Sequence, residues 1–149
     1  MRKLTAVFII LCSASMAQSP MVRGTLGSAY VLLGKLASAN MNVTTDQSVT
    51  ITVPGGSSKY QVASVVFTNC SANIAGGTAA GSVYSAASKG GTALYSTATV
   101  YTSLSTTTIT YQPAITIAVS LTGNVFFSLT TGNGSAGTCD LYVFGVPLP

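Results

Sequence analysis

Through much of this chain apolar and polar residues alternate with a period of two, in short runs separated by glycine, proline, asparagine and serine. The clearest run is Ser48 to Val53, where Val49, Ile51 and Val53 interleave with Ser48, Thr50 and Thr52. Side chains of a strand point alternately to its two faces, so this run predicts a strand with one face buried and one wet. Pro54-Gly55-Gly56-Ser57-Ser58 then breaks it and turns the chain. Ala29 to Leu36 predicts an apolar opening strand interrupted by Gly34. Lys59 to Asn69 predicts another, with Tyr60 and Val62 on one face and Val66 on the same parity. Further strands are predicted at Ser82 to Ala86, Thr92 to Thr97, Thr99 to Leu104, Thr106 to Tyr111, Ile115 to Leu121 and Asn124 to Thr131. The last, Cys139 to Val146, places Leu141, Val143 and Gly145 on one face and Tyr142 and Phe144 on the other. Loops are expected at Asn69 to Gly81, Ala87 to Gly91 and Gly132 to Gly137.

No segment carries an extended helical stripe with caps. Threonine, valine, tyrosine and isoleucine are abundant, and these suit pleated, half-buried surfaces. Eight to ten short strands with regular turn signals predict an all-β fold, an antiparallel β-sandwich of jelly-roll or Greek-key type. An outer-membrane barrel needs strands of about ten residues with aromatic girdles, and most of these runs are shorter.

Composition changes the picture from fold to function class. Charged residues make up 5% of the chain against a usual quarter, and apolar residues 48%. Low hydrophobicity with high charge marks disorder, and this is the reverse. The polar half is neutral, which suits a surface that packs against copies of itself or works outside the cell. Among 149 residues there is no histidine and only two acidic residues, Asp46 and Asp140. Histidine-dependent triads are therefore excluded, and neither metal ligands nor a cofactor cradle is expected. A carboxylate pair would have to be Asp46 with Asp140. Asp46 reads as a turn residue that bonds nearby backbone, and Asp140 as a strand-edge residue, so no catalytic residues are expected. The glycine-rich pieces lack the strand–loop–helix setting of a phosphate cradle. Beyond Arg2 and Lys3, the four basic residues Arg23, Lys35, Lys59 and Lys89 oppose two aspartates, a net of +2. None of the four adjoins another, so no nucleic-acid face is expected.

The first 17 residues have a basic tip, an apolar run from Leu4 to Leu11 and small residues before Ala17, which predicts a secretory signal peptide. The competing reading is a leader that is not translated, with translation starting at Met21; a third is an uncleaved hydrophobic tail used in assembly. Residues 18–25 are expected to be a flexible segment, and 26–149 a single β-sandwich domain. No lasting membrane span is expected in the mature chain, because the apolar run is too short. Without Cys12, Cys70 and Cys139 remain as an even pair. Either they form a disulfide or they are two buried free thiols. Among the aromatics, Tyr84, Tyr95, Tyr101 and Tyr111 are the candidates for stacking on a glycan; the competing reading is that they pack in the core.

Several segments resemble small proteins common in tailed-phage and prophage gene sets. They include 29–36 (AYVLLGKL), 42–47 (NVTTDQ), 59–62 (KYQV), 65–69 (VVFTN), 84–92 (YSAASKGGT) and 141–145 (LYVFG). The likeness covers most of Ala29 to Leu148. It implies a β-rich virion accessory, a capsid decoration or fibre-associated subunit without catalytic residues. The expectation is therefore a non-enzymatic virion structural protein that contacts capsid or tail proteins and forms a homo-oligomer. The alternatives are a secreted bacterial surface subunit of pilin or adhesin type, located at the cell surface after cleavage near Ala17, and a carbohydrate-binding module.

Overall fold

The computed structural model describes residues 30–71, 74, 77–102, 104–106, 110–117 and 119–149. The leader, the segment 18–25 and its alternative start lie outside the described residues. Nine strands follow in chain order: β1 (Val31–Asn40), β2 (Gln47–Val49), β3 (Lys59–Thr68), β4 (Ala80–Ala86), β5 (Gly90–Ala93), β6 (Thr110–Tyr111), β7 (Leu121–Thr122), β8 (Val125–Thr131) and β9 (Thr138–Leu148). They form two sheets, and every strand pair is antiparallel. The first sheet runs β1-β9-β3-β6, with β7 also on β3; the second runs β2-β8-β4-β5.

Because β9 occupies one edge of β3 along its whole length, β6 and β7 share the other edge. They are two ends of one interrupted edge strand. Between them the chain leaves β3, and Thr116 N donates to Leu94 O at the end of β5, tying the two sheets. Counted this way there are eight strands in two sheets of four. The pairs β1·β9, β2·β8, β3·β6/β7 and β4·β5 nest as one antiparallel ribbon folded over itself. The all-β antiparallel sandwich expected from the sequence is present, and its strand order is the one a jelly roll has.

Several strands are shorter than their alternation predicts, because a partner is needed as well as a pattern. Val49, Ile51 and Val53 all turn toward the core, yet only Gln47–Val49 pairs, with β8. Thr52 N instead donates to Leu33 O in β1, so the chain crosses from one sheet to the other within this run. Among the described residues of Thr99–Leu104 the ladder pairing is one isolated bridge, Ala80↔Val100. Pro54–Gly56 makes the expected turn, with Gly55 and Gly56 at φ 81° and 77°.

One predicted face is corrected. In β3 the register steps from Val62↔Gly145 to Ser64↔Phe144, so Ala63 is an extra residue, a β-bulge. Side-chain parity reverses there. Tyr60 and Val62 face inward before it, Val65 and Phe67 after it, and Val66 points outward rather than joining Tyr60.

The core lies between the sheets. Leu33, Val65, Phe67, Leu141 and Val143 from the first sheet meet Val49, Val83, Val125, Phe127 and Leu129 from the second, all fully or nearly fully buried. Phe67 and Phe127 touch edge-on across the gap with ring centroids 5.3 Å apart. Such edge-to-face pairs add roughly 1 kcal/mol each to the burial itself.

Candidate functional site

Three of the four tyrosines read as ligand-stacking candidates lie in the interior. Tyr84, Tyr95 and Tyr101 are 4%, 2% and 0% exposed. Tyr101 packs on Phe67, Phe127 and Tyr111 at centroid distances of 5.0, 6.1 and 5.9 Å. Its hydroxyl donates to Gly81 O at 3.1 Å and lies 2.9 Å from the Tyr95 hydroxyl. Burial pushes the phenols of Tyr95 and Tyr101 far above their ordinary value of 10.0. Tyr111 is half-buried, its ring against the same cluster. Tyr95 and Tyr101 fill the sandwich with Tyr111 packed against them, while Tyr84 is buried outside that cluster.

Cys70 and Cys139 are bonded, and they clasp the chain just past the end of β3 to the start of β9 across a sequence separation of 69. Cys139 is inaccessible and Cys70 is 9% exposed. The two carboxylates sit in separate networks. Asp46 accepts from Ser88 N in the β4–β5 turn, where Lys89 Nζ also donates to Thr44 O at 2.7 Å. Asp140, on β9, takes part in the first sheet. No carboxylate pair is assembled. Asn-x-Ser/Thr triplets begin at Asn42, Asn69 and Asn133, and Asn133 is buried at 6% exposure beside Gly77.

The outward face of the first sheet is the most distinctive surface. Alternation along β9 turns Tyr142, Phe144 and Val146 outward while Leu141 and Val143 face the core. Cross-strand register puts Leu32 beside Phe144, and Lys35 and Val66 on either side of Tyr142. Leu32 is 47% exposed, and Tyr30, just before β1, is 65% exposed. Tyr142 and Phe144 stack with ring planes 20° apart. Leu32 and Lys35 also form one wall of a shallow groove of about 400 Å3, whose other wall is Thr50, Thr52 and Pro54.

A polar cluster sits on the same face. Asp140 Oδ2 meets Lys35 Nζ at 3.0 Å and accepts from Asn69 Nδ2 at 3.4 Å, while Oδ1 accepts from Ser38 N at 3.0 Å. The Ser38 amide, Lys35 and Asn69 together hold the carboxyl below its ordinary 3.8. Lys35 lies 4.9 Å over the Tyr142 ring, and Tyr142 and Asp140 raise its ammonium above the ordinary 10.5. Ser38 and Asn69 both have φ in the left-handed region, 54° and 52°. Those conformations, invisible in the sequence, aim both groups at one carboxylate. The one available clue was scarcity: in a chain with two acids, a buried one needs a cation.

The strand edges are blunted. β1 is bulged twice, its Leu33 O is taken by Thr52 N, and the Gln47 side chain bonds both N and O of Asn40. β2 and β5 are three and four residues long. Short, bulged and capped edges resist pairing with another chain. Among the described residues no helix is long and apolar enough to cross a membrane, and no group of three potential metal ligands occurs.

Compared with known protein families, with curated proteins and with solved structures, the chain matches none.

Proposed function

We propose that this protein is a non-enzymatic structural subunit of a phage virion, a decoration or fibre-associated component that acts by contact with capsid or tail proteins. The observation that carries the reading is the outward face of the first sheet. Leu32, Val66, Tyr142, Phe144 and Val146 make an apolar and aromatic patch, and its charges, Lys35 and Asp140, neutralise one another. Contiguous apolar surface on a soluble domain marks a site of association. The jelly roll adds support by analogy alone, since capsid and lectin domains both use it. The disulfide supports a working life in an oxidising setting, and a released particle provides one. Blunted edges favour association, with partners or with further copies, through this face rather than by adding strands.

The alternative is a secreted bacterial surface subunit. The favouring observation is the Cys70–Cys139 bridge, which forms most readily along an export route. A carbohydrate-binding reading has lost Tyr95 and Tyr101 to the core and Tyr84 to burial, and Lys35 covers the outward Tyr142.

Gradient-purified particles from the producing host, analysed by mass spectrometry, test the proposal. The subunit should travel with particles, and Leu32→Asp should release it while the circular-dichroism spectrum stays unchanged. A subunit absent from particles, found in the periplasm or medium with a mature start near Gln18, establishes the secreted alternative instead.

A further inference from the structure

Lys35, Asn69 and Asp140 occupy three neighbouring positions on one face. Lys35 is on β1, Asp140 on β9, and Asn69 follows β3; β9 lies between the other two strands. The lysine nitrogen and the asparagine amide nitrogen both address the same atom, Asp140 Oδ2, at 3.0 and 3.4 Å. They therefore lie within two hydrogen-bond lengths of each other. The strands carrying them are about 10 Å apart, two interstrand spacings, a distance an extended lysine and an asparagine span together.

We propose that Lys35 and Asn69 become joined by an amide bond across β9, with Asp140 relaying the proton. The neutral Lys35 amine attacks Asn69 Cγ, and a Nζ–Cγ bond forms. The proton leaving Nζ passes to Asp140 Oδ2 and from there to Nδ2. The Cγ–Nδ2 bond breaks, ammonia departs, and Asp140 ends as it began. No oxidant, reductant or further reactant enters. The hydrogen bond already in place, in which Nδ2 donates to Asp140 Oδ2, holds the leaving atom against the carboxylate that returns the proton to it once Cγ is tetrahedral. The Lys35 side chain is 41% exposed, so ammonia escapes to solvent and the step does not reverse.

Protonation sets the pace. Among the described residues the ionisable neighbours of Lys35 are Tyr142 and Asp140, and both hold its proton on. At neutral pH fewer than about one such amine in a thousand is free of its proton. Aligned intramolecular groups react as if present at about 10^5–10^8 M, which outweighs that fraction once Nζ swings against Cγ. The bond therefore forms slowly after folding and faster in mild alkali. Because Asn69 adjoins Cys70 and Asp140 adjoins Cys139, the new link and the disulfide together tie β1, β9 and β3 at one end.

The test is peptide mapping of the full chain by tandem mass spectrometry, before and after incubation in mildly alkaline buffer. The expected result is a branched peptide joining Lys35 to Asn69, lighter than its two parts by one ammonia and more abundant after incubation. Lys35→Arg, which keeps the ion pair, and Asn69→Ala should each abolish it, and Asp140→Asn should slow it about tenfold or more. Mapping rather than intact mass is required, because a succinimide at Asn133-Gly134 loses ammonia too. Recovery of Lys35 and Asn69 in separate, unmodified peptides after incubation overturns the proposal. So does conversion of Asn69 to aspartate with Lys35 free, since water would then be the nucleophile. Cross-linking at an undiminished rate in Asp140→Asn removes the relay assigned to that residue.

Discussion

Replacing both bridged cysteines with alanine should cost this protein a large share of its stability. The bond closes a loop of 69 residues, and it joins the chain beyond one central strand of the first sheet to the start of its neighbour. In the chain-entropy treatment a loop of that length restricts the unfolded chain by about 4 kcal/mol. Both sulfur atoms are also buried, Cys139 completely, and losing them leaves a small void worth roughly 1 kcal/mol more. A domain of this kind is stable by about 5–15 kcal/mol, so the double variant sits near the margin of folding. The assay is urea unfolding followed by far-ultraviolet circular dichroism and by tyrosine emission, the chain having no tryptophan. The midpoint should fall steeply. The slope should rise as well, because an unbridged denatured chain exposes more surface. A loss below about 1 kcal/mol with an unchanged slope would refute the reasoning. It would mean that the denatured chain is already held compact, or that the bridge is not closed in the folded protein.

Three further outcomes follow from the interior and its turns. Tyr101→Phe should cost about 1–3 kcal/mol in the same unfolding assay, because it strips a partner from the buried Tyr95 hydroxyl and from Gly81 O; an unchanged midpoint would show that a water replaces it. Gly145→Ala should cost about 2–3 kcal/mol, since its methyl group would collide with the Gln61 carbonyl and Leu33 Cδ1 in the middle of the first sheet; thermal melting reads the loss. The protein should become labile in alkali: burial raises Tyr60 to about 12 and Tyr95 and Tyr101 further, so their neutral forms stabilise the fold fully below pH 10, and this contribution fades as pH climbs through the folded values. Phenolate absorbance should therefore appear together with loss of the circular-dichroism signal; ordinary titration near pH 10 in an intact fold would contradict it.

Period-two alternation was enough to find β9, β4 and β8, and to assign the faces of β9, since each lies inside a sheet with partners on both sides. Where the partner changes, alternation misled. The run from Ser48 to Val53 reads as one strand but is shared between two sheets. The inserted Ala63 turned Val66 outward, and nothing in a run of Val, Ala, Ser and Val marks where a bulge falls. The contact face was half legible: Tyr142 and Phe144 were expected on the face opposite Leu141 and Val143, whereas the neighbours Leu32, Lys35 and Val66 come from strands remote in sequence.

By itself the chain determined its class. Without histidine, with two acids, and with short alternating runs rich in β-branched residues, it could only build a neutral all-β body, because periodicity and side-chain chemistry are local properties. Tertiary structure decided the strand order of the two sheets, the closure of Cys70 on Cys139, the burial of three candidate tyrosines, and the meeting of Lys35, Asn69 and Asp140. Each of these depends on which strands lie side by side, and that pairing joins residues up to about a hundred positions apart, a distance over which no local pattern carries information.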